Sequence, residues 1–108
     1  MLFAIAMNKQ HYFFKLIPPR PTFPQDMTDE EKVLMDEHSD YFQQQFDAGK
    51  LLLYGPVMAP DGAFGLGILE VAGEAEARQF SENDPSIRAG LNRWEFYPMR
   101  VTASRAKD

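Results

Sequence analysis

The sequence predicts a single α+β domain in which two helices cover one face of a four-stranded antiparallel sheet. Three observations predict it. One long stretch, Asp29 to Ala48, carries apolar residues at three- and four-residue steps behind a helix-capping signal. Four short runs rich in aromatic and branched residues are punctuated by proline or glycine, as strands are. A shorter helical pattern, Glu74 to Glu82, separates the third run from the fourth, so the order reads strand, helix, strand, strand, helix, strand, the ferredoxin-like split βαβ arrangement. At 108 residues, 44% hydrophobic and 25% charged, the chain has enough apolar surface for one self-supporting core.

Residues 1–10 read as an N-terminal leader. Met1 to Met7 is apolar but has no basic lead-in and is too short for a signal sequence or a membrane span, and Met7 is a candidate start. The domain proper is expected over residues 11–101. Its first strand, His11 to Ile17, is apolar on both faces, with Phe13 and Ile17 on one and Tyr12, Phe14 and Leu16 on the other, so both faces should be covered. The segment Pro18 to Met27 holds four prolines and reads as a stiff extended loop that can fold over a neighbouring pocket, with Arg20 as a cation and Phe23 as an aromatic wall.

Thr28 and Glu31 form a capping box, acidic residues fill the first turn, and Gly49-Lys50 stops the long helix. Its expected buried stripe is Val33, Leu34, Met35, Tyr41, Phe42 and Phe46. A second strand is expected from Leu51 to Gly55, ended by Gly55-Pro56, and a third from Phe64 to Val71, the two joined by a loose turn at Pro60 to Gly62. Gly65 and Gly67 share one face of the third strand, where bare backbone permits close packing. In the second helix Ala77 and Phe80 face inward. Asp84 before Pro85 is the expected cap of a further helical turn, stopped at Gly90. The last strand, Asn92 to Val101, contains Pro98 and so suits a sheet edge, and residues 102–108 form a flexible tail.

Charge and composition exclude several functions. A net charge of −5 without clustered Lys or Arg argues against nucleic acid. The absence of cysteine removes thiol chemistry and suits a cytoplasmic setting, and no membrane association is expected. With two histidines and no metal-ligand spacing, no metal and no cofactor are expected; His11, at the mouth of the first strand, reads as a surface residue.

His38 is the unusual residue. It falls within the apolar stripe, three or four residues from Leu34, Met35, Tyr41 and Phe42, where a leucine would be expected. It is either a core histidine bonded to a backbone carbonyl or a proton-transfer residue aimed into a cleft, because imidazole titrates near neutral pH.

The combination of a mid-helix histidine, Gly49-Lys50-Leu51-Leu52 leading to Gly55-Pro56, Asp61-Gly62, Glu70, Asp84-Pro85, Ala89-Gly90 and a final strand through Glu95 to Pro98 resembles the YciI-like, or YCII-related, family over about Tyr12 to Arg100. The resemblance implies a dimeric α+β barrel and an active site built on a histidine and an aspartate. Muconolactone isomerases share that wider fold and work by proton transfer. Carried onto this chain, His38 matches the family histidine and Asp84 the Asp-Pro aspartate. Asp47 competes, but nine residues of helix turn it about 180° from His38. Arg20, Tyr41, Tyr54, Gly55 and Pro56 are the candidate substrate-binding residues.

Two classes of function follow. One is a lyase- or isomerase-type enzyme in which His38 moves a proton on a small organic molecule and Asp84 orients the ring. The other is a small-molecule-binding or regulatory module with His38 as an anchor. Either is expected as a homodimer packed through the sheet face that the helices leave open.

Overall fold

A computed structural model describes residues 9–105. The leader reading lies outside those residues over 1–8 and gives way to β1 at Gln10; the Met7 start and the end of the tail lie outside them. The elements, in chain order, are β1 (Gln10–Ile17), α1 (Asp29–Asp47), β2 (Leu51–Ala59), β3 (Gly62–Val71), α2 (Glu74–Glu82), α3 (Pro85–Arg88) and β4 (Arg93–Met99). The sheet runs β2-β3-β1-β4 with every neighbour antiparallel, the ferredoxin-like arrangement. Among the described residues no helix is long and apolar enough to cross a membrane.

Helix α1 begins where local chemistry dictates. The Thr28 hydroxyl accepts from the Glu31 amide at 3.1 Å and the Glu31 carboxylate accepts from the Thr28 amide at 3.0 Å, so two amides with no helical partner are satisfied reciprocally. Its buried stripe is narrower than the sequence spacing suggests. Phe42 is 3% exposed, whereas Val33 and Phe46, expected inward, are 57% and 42% exposed. Phe42 instead anchors an aromatic cluster, packing on Phe14, Phe80 and Tyr54.

Alternation along β1 sorts the sheet into two faces. Tyr12, Phe14 and Leu16 join Leu69, Val71, Ala77 and Phe80 in the core beneath the helices. On the open face, Leu53, Tyr97 and Met99 remain exposed. There Phe13 stacks on Tyr97, and His11, expected at the surface, is half-buried and bonds to Glu70 at 3.1 Å.

Strand β2 does not stop at Gly55-Pro56 but continues to Ala59, with Pro56 opposite Gly65 in register. The reason is position: β2 is an edge strand, so the donor that proline lacks is not needed by a neighbour. Close packing explains the paired glycines. A Cβ on Gly65 would sit 3.1 Å from Leu16 Cβ, and one on Gly67 3.1 Å from Leu51 Cδ2.

Candidate active site

Three elements converge on His38. Helix α1 carries the ring over Phe42, with ring centroids 4.4 Å apart. The Pro-rich loop folds back so that Phe23, 3% exposed, closes one side, and the β2 segment Tyr54-Gly55-Pro56 closes another. Between them lies a pocket of about 360 Å³ whose floor includes Leu16 and the side-chain-free Gly65. Among the described residues lining it there is no Lys, Arg, Asp or Glu, so the walls are mostly apolar, with His38, Ser39, Tyr54 and Asn92 as the side chains that carry polar atoms.

Asp84 approaches the ring from behind. His38 Nδ1 lies 2.8 Å from Asp84 Oδ2, with the histidine side chain 14% exposed and the carboxylate fully buried. A carboxylate only accepts, so Nδ1 carries the proton. That leaves Nε2, which has no hydrogen-bond partner among the described residues, as the nitrogen available to the pocket. Asp84 is at the same time the N-cap of α3: its Oδ1 accepts from the Ser86 amide at 2.8 Å and from the Ser86 hydroxyl at 3.0 Å. Asp84 thus caps α3 through one oxygen and meets the His38 ring through the other.

The other expected site residues divide. Tyr54, Gly55 and Pro56 line the pocket, and the Tyr54 hydroxyl donates to Gln43 at 2.6 Å. Tyr41 does not line it. Its hydroxyl donates to the Phe80 carbonyl at 2.8 Å, and burial, with the Asp84 charge second, pushes its ionisation up to about 12.

Arg20, expected as an anchor for a substrate carboxylate, is also absent from the pocket lining. Its guanidinium forks onto Glu31 at 2.9 and 2.7 Å and bonds Asp26 at 3.0 Å. That bond holds Glu31 down at about 2, well below the usual carboxylate range. Arg20 instead clamps the loop to the start of α1 and lies over the Phe23 ring at 5.4 Å. Asp47 accepts from Gln43 one turn back on α1.

Two residues behind the pair escape a reading of the sequence. Ser86 is fully buried, and Asn92, 3% exposed, lines the pocket and donates its amide to Ser86 Oγ at 2.9 Å. A serine two positions after a capping aspartate is a local signal for the Asp84–Ser86 contact, whereas nothing in the local sequence marks Asn92. Among the described residues no group of three or more His, Cys, Asp or Glu side chains is placed to hold a metal ion.

The sequence matches the YCII-related domain over residues 1–100. No curated protein matches the chain. Among solved structures, it is similar to an uncharacterized protein from Thermotoga maritima, with a TM-score of 0.54 and 10% identity, covering 85% of this chain and 99% of that one. It is also similar to the 5-chloro-2-hydroxyhydroquinone dehydrochlorinase of Burkholderia phenoliruptrix, solved in complex with 2,5-dihydroxybenzoquinone. That likeness has a TM-score of 0.53 and 21% identity, covering 90% of this chain and 99% of the other. Both likenesses show the fold.

Proposed function

Since the chain belongs to the YCII-related domain family, we propose that it is an enzyme of lyase or isomerase type in which His38 transfers a proton on a small organic molecule held in the apolar pocket. The observation that carries this reading is the 2.8 Å contact between His38 Nδ1 and the buried Asp84 carboxylate, behind a ring that borders a cavity. Asp84 selects the tautomer with Nδ1 protonated, so Nε2 offers a lone pair. When Nε2 takes a proton from the substrate, the imidazolium that forms is stabilised by the carboxylate behind it, and the same nitrogen returns the proton to another atom or to a leaving group. Acid–base help of this kind supplies about 10²–10⁴-fold in rate.

The pocket's composition supports a mostly apolar substrate. Among the described residues no Lys or Arg lines it, and Arg20 is already bound to two carboxylates. The dehydrochlorinase of the same fold has an activity of this general type, because loss of hydrogen chloride requires removal of a proton.

The protein acts as a homodimer through the open face of the sheet. Support comes from the exposed Leu53, Tyr97 and Met99, an apolar patch of a kind that monomers seldom leave in water. Size-exclusion chromatography with light scattering tests this separately from the chemistry.

The chemistry is tested by deuterium exchange. The protein is incubated in D₂O with a panel of small cyclic ketones and hydroxylated quinones, and carbon-bound deuterium is followed by NMR. The expected result is exchange that His38→Ala reduces by about 10²-fold or more while keeping the fold and the oligomeric state. Full exchange in His38→Ala would overturn the assignment. A ligand bound by the wild type without exchange would instead mark a binding module.

A further inference from the structure

Behind the His38–Asp84 pair lies a chain of hydrogen bonds with a single polarity. Asn92 Nδ2 donates to Ser86 Oγ at 2.9 Å. The Ser86 hydroxyl, its oxygen so engaged, donates its one hydrogen to Asp84 Oδ1 at 3.0 Å, beside the Ser86 amide at 2.8 Å. His38 Nδ1 donates to the other oxygen at 2.8 Å. Every donor in the chain points toward the carboxylate.

Asn92 is a poor choice for stability at this place. Among the described residues its Oδ1 is buried without a hydrogen-bond partner, and the second contact of its Nδ2 is the Met35 sulfur at 3.3 Å. An unpaired buried oxygen is a penalty that an apolar side chain of the same size would avoid. What the amide supplies in return is the donated hydrogen that orients the Ser86 hydroxyl.

We propose that Ser86 and Asn92 are positioning residues of the candidate active site: through Asp84 Oδ1 they hold the carboxylate in its orientation and share its charge, so that Oδ2 stays aimed at His38 Nδ1 and its bond to the ring is tempered. A carboxylate shared with no other donor would bond the ring more strongly. The other titratable groups around the pair take no part. Tyr41, facing Asp84 from α1, stays protonated, since its ionisation is pushed up to about 12, and Tyr54, across the pocket on β2, donates its hydroxyl to Gln43. The proposal rests on the proton-transfer reading of His38, and its test needs no substrate, so the two fail separately.

The test is the His38 Nδ1–H proton resonance, a direct report of the bond to Asp84, recorded with the stability of each variant. Ser86→Ala should move that resonance downfield, because the bond strengthens when Oδ1 loses a donor. Ser86→Thr, which restores a hydroxyl, should return it toward the wild-type position. Asn92→Leu should move it in the same direction by less, while keeping or raising stability because the unpaired oxygen is gone. In the double variant Ser86→Ala/Asn92→Leu the shift should equal that of Ser86→Ala alone, since Asn92 acts only through Ser86. An unmoved or upfield resonance in Ser86→Ala or in Asn92→Leu, or additive shifts in the double variant, would overturn the proposal and leave the two residues a purely structural role. If Ser86→Ala does not fold, Asn92→Leu decides in the same terms.

Discussion

Replacing Asp84 separates its two roles by size of effect. Asp84→Ala strips a partner from three donors at once: the Ser86 amide, the Ser86 hydroxyl and His38 Nδ1. The lost cap costs about 1 kcal/mol, and each buried donor left unpaired costs on the order of 1–3 kcal/mol. With the Ser86 amide counted in the cap and the other two donors separately, these losses destabilise the fold by about 3–7 kcal/mol. At about 4–8 °C per kcal/mol, the melting temperature should fall by at least roughly 12 °C.

Asp84→Asn keeps the shape and one acceptor oxygen, so its cost should be nearer about 1–2 kcal/mol. If that oxygen stays on the Ser86 side, the new amide NH₂ faces His38, and the ring must then present Nδ1 as an acceptor and carry its proton on Nε2. On the proposed proton-transfer reading, the base would thereby be lost although the packing survives, and activity should drop by about 10²–10⁴-fold. Thermal melts followed by circular dichroism measure the first effect, and nitrogen NMR of the imidazole the second. An Asp84→Ala protein that melts within about 4 °C of wild type, or an Asp84→Asn protein that keeps the proton on Nδ1, would refute the account of a carboxylate that serves both helix and histidine.

Three further outcomes follow from other parts of the structure. Glu31 has its ionisation depressed in the folded state from 4.5 to about 2 by its bond to Arg20, so its contribution to stability is present above pH 4.5 and is lost as pH falls toward 2; Glu31→Gln should flatten that limb of a stability–pH curve. Tyr41 is shifted the other way, from 10 to about 12, so its contribution to stability is full below pH 10 and declines as pH rises toward 12; Tyr41→Phe should reduce the alkaline decline, leaving the part from Tyr97, whose ionisation Glu95 also raises, while forfeiting about 0.5–1.5 kcal/mol for the bond to the Phe80 carbonyl. Gly65→Ala should destabilise by roughly 1–3 kcal/mol in urea titrations, because its new methyl meets Leu16 Cβ, an atom fixed to the neighbouring strand; Gly67→Ala should cost less, since it meets the flexible end of Leu51.

The features legible in the sequence are those written locally. The start of α1 follows from Thr28 and Glu31, and its end from Gly49, at a φ of 81° that favours glycine. The face alternation of β1 is equally local, and it sorts Tyr12, Phe14 and Leu16 into the core without reference to the rest of the chain. What was misread depends on neighbours. Gly55-Pro56 reads as a strand end until the sheet order puts β2 on an edge. The stripe on α1 reads too wide because spacing marks a direction and not how far the sheet extends beneath it, so Val33 and Phe46 emerge exposed.

The site divides along the same line. His38 is conspicuous within its helix, but Asp84 lies 46 residues away, and only the resemblance to a family linked the two. Arg20 reads as a free cation until the Pro-rich loop doubles back and delivers it to Glu31, 11 residues on. Asn92 has its meaning through Ser86, and so through a turn of helix that brings the two together.

That turn explains why the carboxylate arrives where it does. A fully buried Asp is costly unless each oxygen is bonded, and a side chain held only by another side chain pays rotamer entropy to stay in place. As the cap of α3, Asp84 has Oδ1 held by a backbone amide that needs a partner in any case, and Pro85 restricts the first helical residue to a backbone angle suited to the helix. The orientation of Oδ2 is then set by the backbone before His38 comes near, which is the preorganisation that the proposed proton transfer would require. The converse also holds. A helix of four residues has little stability of its own, so the bond from His38 to Asp84 fastens α3 to α1 as firmly as α3 fastens the carboxylate. Site and fold thus share one set of hydrogen bonds, and a substitution that improves one oxygen's partner at the expense of the other should alter stability and proton transfer together.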